Sequence, residues 1–310
     1  MSDRIIGLDI GGSKCAVLVG TYQGEVLQRA QFPTESEQGF EHTWERLCEH
    51  VTGARRTVRG EGNAVAALSV SIGGPLDCER GIIYSPPNLP GWDAIPLKEK
   101  LQERFGVPAH VEHDGNAGAL AEWRFGAGVG VQSLVFLTMG TGLGGGMILD
   151  GRLYRGARDM AGEVGHVRLA PDGPLAYGKR GSWEGLCAGP AFAALAEEMY
   201  PLRWGAGVDT REVVGLALAG DAQAVAVVER VAENMGRGLA MLVDLLNPEM
   251  IVIGSMAVRL GDLLLEPTRQ ALRSEALPAA AEACQVVPAK LGERLGDVAA
   301  LCAAIEARRD

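Results

Sequence analysis

The pattern of strand, glycine turn, strand occurs twice in this chain. Ile5 to Ile10 and Cys15 to Gly20 flank Gly11-Gly12, and Leu134 to Thr138 and Met147 to Leu149 flank the run from Gly140 to Gly146. Each apolar run is short and bounded by glycine, which marks a strand rather than a helix. The first pair is followed by a third strand, Val26 to Phe32, and by a helix from Phe40 to Val58 with Phe40, Trp44, Leu47, Cys48 and Val51 at helical spacing. A buried strand, Val65 to Ile72, then ends at Gly73-Gly74-Pro75, and a helix from Leu97 to Phe105 leads to a strand, Pro108 to Glu112. The second pair is followed by an Asp150-Gly151 hairpin signal and a loop-rich stretch, Tyr154 to Trp183. Helices are expected at Gly189 to Glu198, Asp209 to Ala219 and Asp221 to Leu246, the last stopped by Asn247-Pro248 before the strand Met250 to Ile253. The closing helix, Gly296 to Arg309, is expected to fold back across the first half. This duplication predicts an α/β chain of two related domains with a ligand cleft between them, divided as 1–113 plus 297–310 and 114–296.

Composition narrows the function classes. The chain has 310 residues, 29 Lys plus Arg against 39 Asp plus Glu, and a net charge of −10. That balance argues against nucleic acid or an anionic membrane as partner and favours a small molecule. The apolar run at the start is too short for a signal peptide, so a cytoplasmic protein is expected. Six cysteines (Cys15, Cys48, Cys78, Cys187, Cys284 and Cys302) form no C-x-x-C pair, so most read as small buried hydrophobes. Cys187 has no evident base partner.

Four segments carry chemistry. Asp9-Ile10-Gly11-Gly12-Ser13-Lys14 forms a hairpin whose N–H groups and lysine can face a phosphate, with Asp9 placed to hold a metal directly or through water. His113-Asp114-Gly115-Asn116 precedes a helix ending near Gly126, so Asp114 reads either as a capping carboxylate or as a base that orients a hydroxyl. Gly140-Thr141-Gly142-Leu143-Gly144-Gly145 satisfies G-x-G-x-x-G, but a strand and a hairpin follow where a dinucleotide motif opens a helix. An NAD-linked oxidoreductase would need that helix. Ala161-Gly162-Glu163-Val164-Gly165-His166, with Glu184 nearby, offers carboxylates and an imidazole suited to sugar hydroxyls. Gly236 and Gly238 sit inside the long helix, and the expected reason is a close neighbour, the nucleotide base.

Taken in order, these segments resemble the ROK family (repressors, open reading frames and sugar kinases) of the actin/hexokinase-like ATPase superfamily. Asp9 to Lys14 resembles its D-[IL]-G-G-T-K, Asp114 to Asn116 its N-D-x-N, and Gly140 to Gly146 its second phosphate loop. Ala161 to His166 resembles its A-G-E-x-G-H, and Leu246 to Gly254 its adenosine-side strand. The resemblance implies two actin-like (ribonuclease H-like) domains and ATP-dependent phosphorylation of a hexose 6-hydroxyl, glucose first and an N-acetylhexosamine as the alternative. It implies Asp114 as catalytic base, and Gly74, Asn88, His113, Glu163, His166 and Glu184 about the sugar. ATP would lie on Gly11, Gly12, Ser13, Lys14, Gly140, Thr141, Gly142, Gly254 and Ser255, with Mg²⁺ at Asp9, in a homodimer. A sugar-responsive repressor would need a helix-turn-helix ahead of the first phosphate strand, which here begins at Ile5. Two departures stand out: His113 replaces the family Asn, and the C-x-C-G-x-x-G-C-x-E zinc segment reads Leu175 to Glu184 with no cysteine, so zinc is not expected.

Overall fold

The computed structural model describes residues 3–308; Met1, Ser2, Arg309 and Asp310, which the expected first domain included, lie outside the described residues. The first glycine turn joins β1 (Asp3–Ile10) to β2 (Lys14–Gly20), and β3 (Val26–Pro33) follows antiparallel. α1 (Gly39–Gly60) carries the chain to β4 (Ala64–Ile72), parallel to β1. A small three-stranded patch comes next: β5 (Leu76–Asp77), β6 (Ile82–Ile83) and β7 (Ile95–Pro96). α2 (Leu97–Phe105) then leads into β8 (Ala109–His113), parallel to β4, and α3 (Asp114–Phe125) begins at the next residue.

The first sheet has the order β3-β2-β1-β4-β8. Alternation along β1 sorts its side chains onto two faces. Ile6, Leu8 and Ile10 join Phe40, Leu47 and Val51 of α1 in one buried cluster. Gly7, on the other face, meets the closing helix, Leu295–Ala307: a Cβ there would lie 2.9 Å from Leu301 Cδ2 and 3.1 Å from the Ala300 carbonyl oxygen. Ala304 N donates to Ser69 Oγ at 3.2 Å on that face, so the last helix does return to the first sheet.

The second sheet is built from β9 (Leu134–Met139), β10 (Leu143–Leu149) and β11 (Arg152–Tyr154). A hairpin, β12 (Leu175–Ala176) and β13 (Lys179–Arg180), and four helices follow: α4 (Trp183–Cys187), α5 (Gly189–Met199), α6 (Thr210–Leu218) and α7 (Ala222–Leu246). β14 (Met250–Ile253) returns to the sheet, and α8 (Met256–Leu260), α9 (Asp262–Glu275) and α10 (Pro278–Ala283) precede β15 (Gln285–Pro288). The closing helix is α11. The order β11-β10-β9-β14-β15 repeats the first sheet strand for strand. The chain divides into two compact units: Met1–Ala121, Arg155–Ala161 and Glu293–Asp310 form the first, and Glu122–Tyr154 and Gly162–Gly292 the second.

Two expectations are corrected. The glycine run is not a turn throughout, because Gly144 and Gly146 pair with Thr138 and Phe136 inside the β9–β10 ladder and only Gly140 to Gly142 turn. Gly236 and Gly238 make room for protein rather than for a nucleotide base. A Cβ on Gly238 would strike the Trp183 ring at 2.1 Å, and one on Gly236 would lie 2.5 Å from Ala271 Cβ of α9. Cys187 is wholly buried and its thiol is pushed well above the usual range by that burial, which fits packing and not nucleophilic chemistry.

Candidate functional site

In the first unit the candidate residues gather at the carboxyl ends of three parallel strands. Register sets this: Asp9 of β1 lies opposite Ser71 of β4, and Ile72 lies opposite His113 of β8. The chain past β4, Gly73-Gly74, therefore sits beside the end of β8 and the start of α3, His113-Asp114. A Cβ on Gly74 would lie 2.9 Å from the His113 ring, and one on Gly73 would lie 3.8 Å from Asp114 Oδ2. Asp114 is the first residue of α3, its side chain more than half exposed, and Oδ1 accepts the Gly115 N–H at 2.7 Å. Helix N–H groups hold a carboxylate in such a place and leave its second oxygen for a hydroxyl.

The Gly11-Gly12 turn is tied from below. Gly11 N donates to Lys14 O at 3.1 Å, and Ser13 and Lys14 are exposed at its tip. Gly12 abuts the Pro-rich loop, with a would-be Cβ only 2.5 Å from Asn88 O, so Gly12 and Asn88 meet. Thr34, fully buried, donates from Oγ1 to Gly11 O at 2.5 Å, and its N–H reaches Ser13 O at 3.1 Å. Sequence reading missed Thr34, because nothing in Pro33-Thr34 marks its tertiary role.

Asp9 is the electrostatic centre of this unit. Burial, then the nearby charges of Asp114 and Asp297, push its carboxyl up from 3.8 to about 6, with Lys14 and Arg29 pulling the other way. Asp297 was also missed; it stands in the first turn of α11, bonded by Arg29 Nε at 2.9 Å, and the adjacent Gly296 lets the helix approach Asp9. Behind the strand end, the buried Glu112 accepts from His113 N (3.1 Å), Asn116 Nδ2 (2.9 Å), Cys78 Sγ (3.3 Å) and Arg155.

The second unit holds the other candidates. Its turn closes through Gly140 N to Gly142 O at 3.0 Å, and Gly189 N donates to Gly140 O at 2.7 Å. Gly254 follows β14, its N–H on Leu137 O at 2.8 Å, and a Cβ on Gly140 would lie 3.7 Å from Ser255 Oγ, so Gly140 and Ser255 are neighbours. Ser255 holds φ 50, a region that favours glycine. Glu163 precedes and His166 ends one turn of 3₁₀ helix, with Glu163 Oε2 and His166 Nε2 3.8 Å apart and both side chains partly exposed. Glu184 lies in α4, and its Oε2 accepts the Leu143 N–H at 2.9 Å. Gly162 and Gly165 of the same motif rest on β10: a Cβ on Gly162 would come 2.3 Å from Gly145 O, and one on Gly165 2.3 Å from Leu143 O.

Among the described residues no helix is long and apolar enough to cross a membrane, and no group of three or more His, Cys, Asp or Glu is arranged to hold a metal. Each unit thus carries one glycine turn able to bind anions through its backbone and one set of carboxylates.

The ROK family model matches residues 5–306. The chain is 33% identical to a glucokinase of Halalkalibacterium halodurans over 96% of its own length and 93% of that protein. A solved ROK hexokinase from Thermus thermophilus is 37% identical, with TM-score 0.82 over 99% of this chain and all of that one. A ROK family glucokinase from Streptomyces griseus, solved in complex with glucose and AMPPNP, is 34% identical with TM-score 0.78 over 96% of this chain and 98% of that one.

Proposed function

The chain belongs to the ROK family and is an ATP-dependent sugar kinase, and we propose that its acceptor is the 6-hydroxyl of glucose. The observation that carries the reading is Asp114, a half-exposed carboxylate at the β8–α3 junction beside Gly73-Gly74. In this reading Asp114 accepts the O6 proton as the O6–Pγ bond forms and the Pγ–O bond to ADP breaks. Glu163, His166 and Glu184 bind sugar hydroxyls, with Gly74, Asn88 and His113 alongside. Backbone N–H groups of Gly11 to Ser13 and Gly140 to Gly142 take phosphate oxygens together with Lys14, and Gly254-Ser255 takes the adenosine side. Most of the rate comes from positioning, which two rigid glycine turns are suited to supply.

Asp9 fits a divalent cation on the chemistry of its surroundings. Asp9 is a carboxylate pushed up to about 6 first by burial and then by the charges of Asp114 and Asp297, so it is short of positive charge. Mg²⁺ bound there, directly or through water, supplies charge neutralisation to the phosphates. A cytoplasmic location and a homodimer belong to the proposal; the homodimer rests on the family resemblance.

ADP release measured across glucose, mannose, N-acetylglucosamine and N-acetylmannosamine tests the reading. The highest kcat/KM with glucose supports it. A preference for an N-acetylhexosamine replaces the acceptor, and no release with any hexose ends the reading.

A further inference from the structure

Glu184 was expected at the sugar, yet one of its oxygens is already engaged by the nucleotide loop. Oε2 accepts the Leu143 N–H at 2.9 Å, at the first residue after the Gly140–Gly142 turn. Gly142 is what permits this approach, since a Cβ there would lie 2.7 Å from the same oxygen. The first residue of α5 grips the turn as well, through Gly189 N on Gly140 O at 2.7 Å. The sugar motif is laid on the same strand without a side chain intervening. Gly165 leaves no room for a Cβ between Leu143 O (2.3 Å) and Glu184 Cβ (3.2 Å), and Gly162 none against Gly145 O (2.3 Å).

We propose that Glu184 is a two-ended strut: Oε2 fixes the Gly140–Gly142 phosphate turn while Oε1 takes a sugar hydroxyl, so that nucleotide and sugar affinity are coupled through one carboxylate. The inference rests on the sugar-kinase reading for its Oε1 end only. A hydrogen bond to an ionised acceptor inside a half-buried site is among the stronger single contacts a protein makes. A ligand that orders one end of the carboxylate lowers the cost of ordering the other, and linkage requires the effect to be reciprocal. Toward the nucleotide Glu184 is therefore a positioning residue, acting through Leu143 N–H.

The two ends can be separated by chemistry. In Glu184→Gln the amide oxygen still accepts from Leu143 N–H, while the NH₂ group presents a donor where the sugar needs an acceptor. In Glu184→Ala both ends are lost. The test is calorimetric titration of AMPPNP with Mg²⁺ into the full chain with no sugar present. Glu184→Gln should bind within about twofold of the parent, and Glu184→Ala about tenfold more weakly, the scale of one charge-assisted hydrogen bond. The converse arm uses Gly142→Ala, whose methyl group displaces the carboxylate: its glucose affinity, measured with no nucleotide present, should fall about fivefold or more. Thermal melts confirm that each variant is folded, and the Gly142→Ala arm stands alone if Glu184→Ala is not. Parent-like AMPPNP affinity in Glu184→Ala, or parent-like glucose affinity in Gly142→Ala, overturns the strut. Weakened AMPPNP binding in Glu184→Ala, in a parent protein that phosphorylates no hexose, would leave the Leu143 end standing and remove the sugar-kinase reading instead.

Discussion

Arg155 grips the carboxylate of Glu112 with two hydrogen bonds, from Nε at 3.0 Å and from Nη2 at 2.7 Å. The Glu112 side chain is only 2% exposed, so this guanidinium is the charge that makes its burial tolerable. The short segment Arg155–Ala161 is bound to the first unit at a second point too, where Cys78 N donates to Asp159 Oδ2 at 2.9 Å. Glu112 also accepts the His113 N–H, which places this pair directly behind the residue that precedes Asp114.

Arg155→Met keeps the packing of the side-chain stem but leaves a buried carboxylate without its cation. A loss of about 3 kcal/mol in unfolding free energy is expected, with Glu112→Gln/Arg155→Met recovering part of it. Urea unfolding of the single and double variants checks this. A single variant within about 0.5 kcal/mol of the parent would show that the pair is structurally idle.

Asp9 gives stability a defined dependence on pH. Its folded pKa, about 6, lies above the 3.8 of the unfolded chain, so the folded state holds the proton more tightly. The contribution of Asp9 to stability is therefore full below about pH 4 and is lost as pH rises through 6, by on the order of 3 kcal/mol in the metal-free protein. Asp9→Asn removes that loss. The variant should melt higher than the parent at pH 7.5 in EDTA, with the advantage shrinking toward pH 4.5, while its turnover is abolished. An advantage that does not change with pH would place the strain elsewhere.

Glu163→Gln should raise the sugar KM tenfold to a hundredfold and leave the ATP KM within about twofold, because a sugar hydroxyl loses a charged acceptor worth about 1.5–3 kcal/mol. Steady-state kinetics with each substrate varied at saturation of the other decides it. An effect confined to the ATP KM would assign Glu163 to the nucleotide.

Where local sequence carried the information, the elements were legible. α2 runs from Leu97 to Phe105 as read, because its apolar spacing and the Gly106 stop are both local. The ends of α7 were read from Asp221, whose side chain accepts Ala224 N–H at 3.0 Å, and from Asn247, which turns left-handed at φ 44. Thr34, Glu112 and Asp297 escaped notice for the opposite reason: each acts through a partner distant in sequence, and no spacing rule encodes such a contact. Gly238 shows the same limit, since its glycine was visible but the Trp183 ring it accommodates was not. Glu184 was assigned to the sugar by resemblance, and only the folded geometry reveals its bond to the phosphate loop.

The sugar loop should not depend on zinc. Leu169 N and Ala170 N both reach Gly181 O (2.9 and 3.1 Å), Trp183 N reaches Val167 O (2.7 Å), and Lys179 Nζ reaches His166 O (2.5 Å). The Tyr177 ring lies 5.3 Å from that of His166. Melting temperature and turnover should be unchanged by a zinc-selective chelator in excess Mg²⁺. About one zinc per chain by elemental analysis, with activity lost to the chelator, would contradict this.

Glucose-dependent ADP release by Asp114→Asn beside the parent decides whether Asp114 is the base of a glucose kinase. Release by the parent is expected to be rapid. In the variant, turnover should drop by on the order of 10² or more, with the AMPPNP affinity and melting temperature retained. Near-parental turnover in Asp114→Asn would contradict that role.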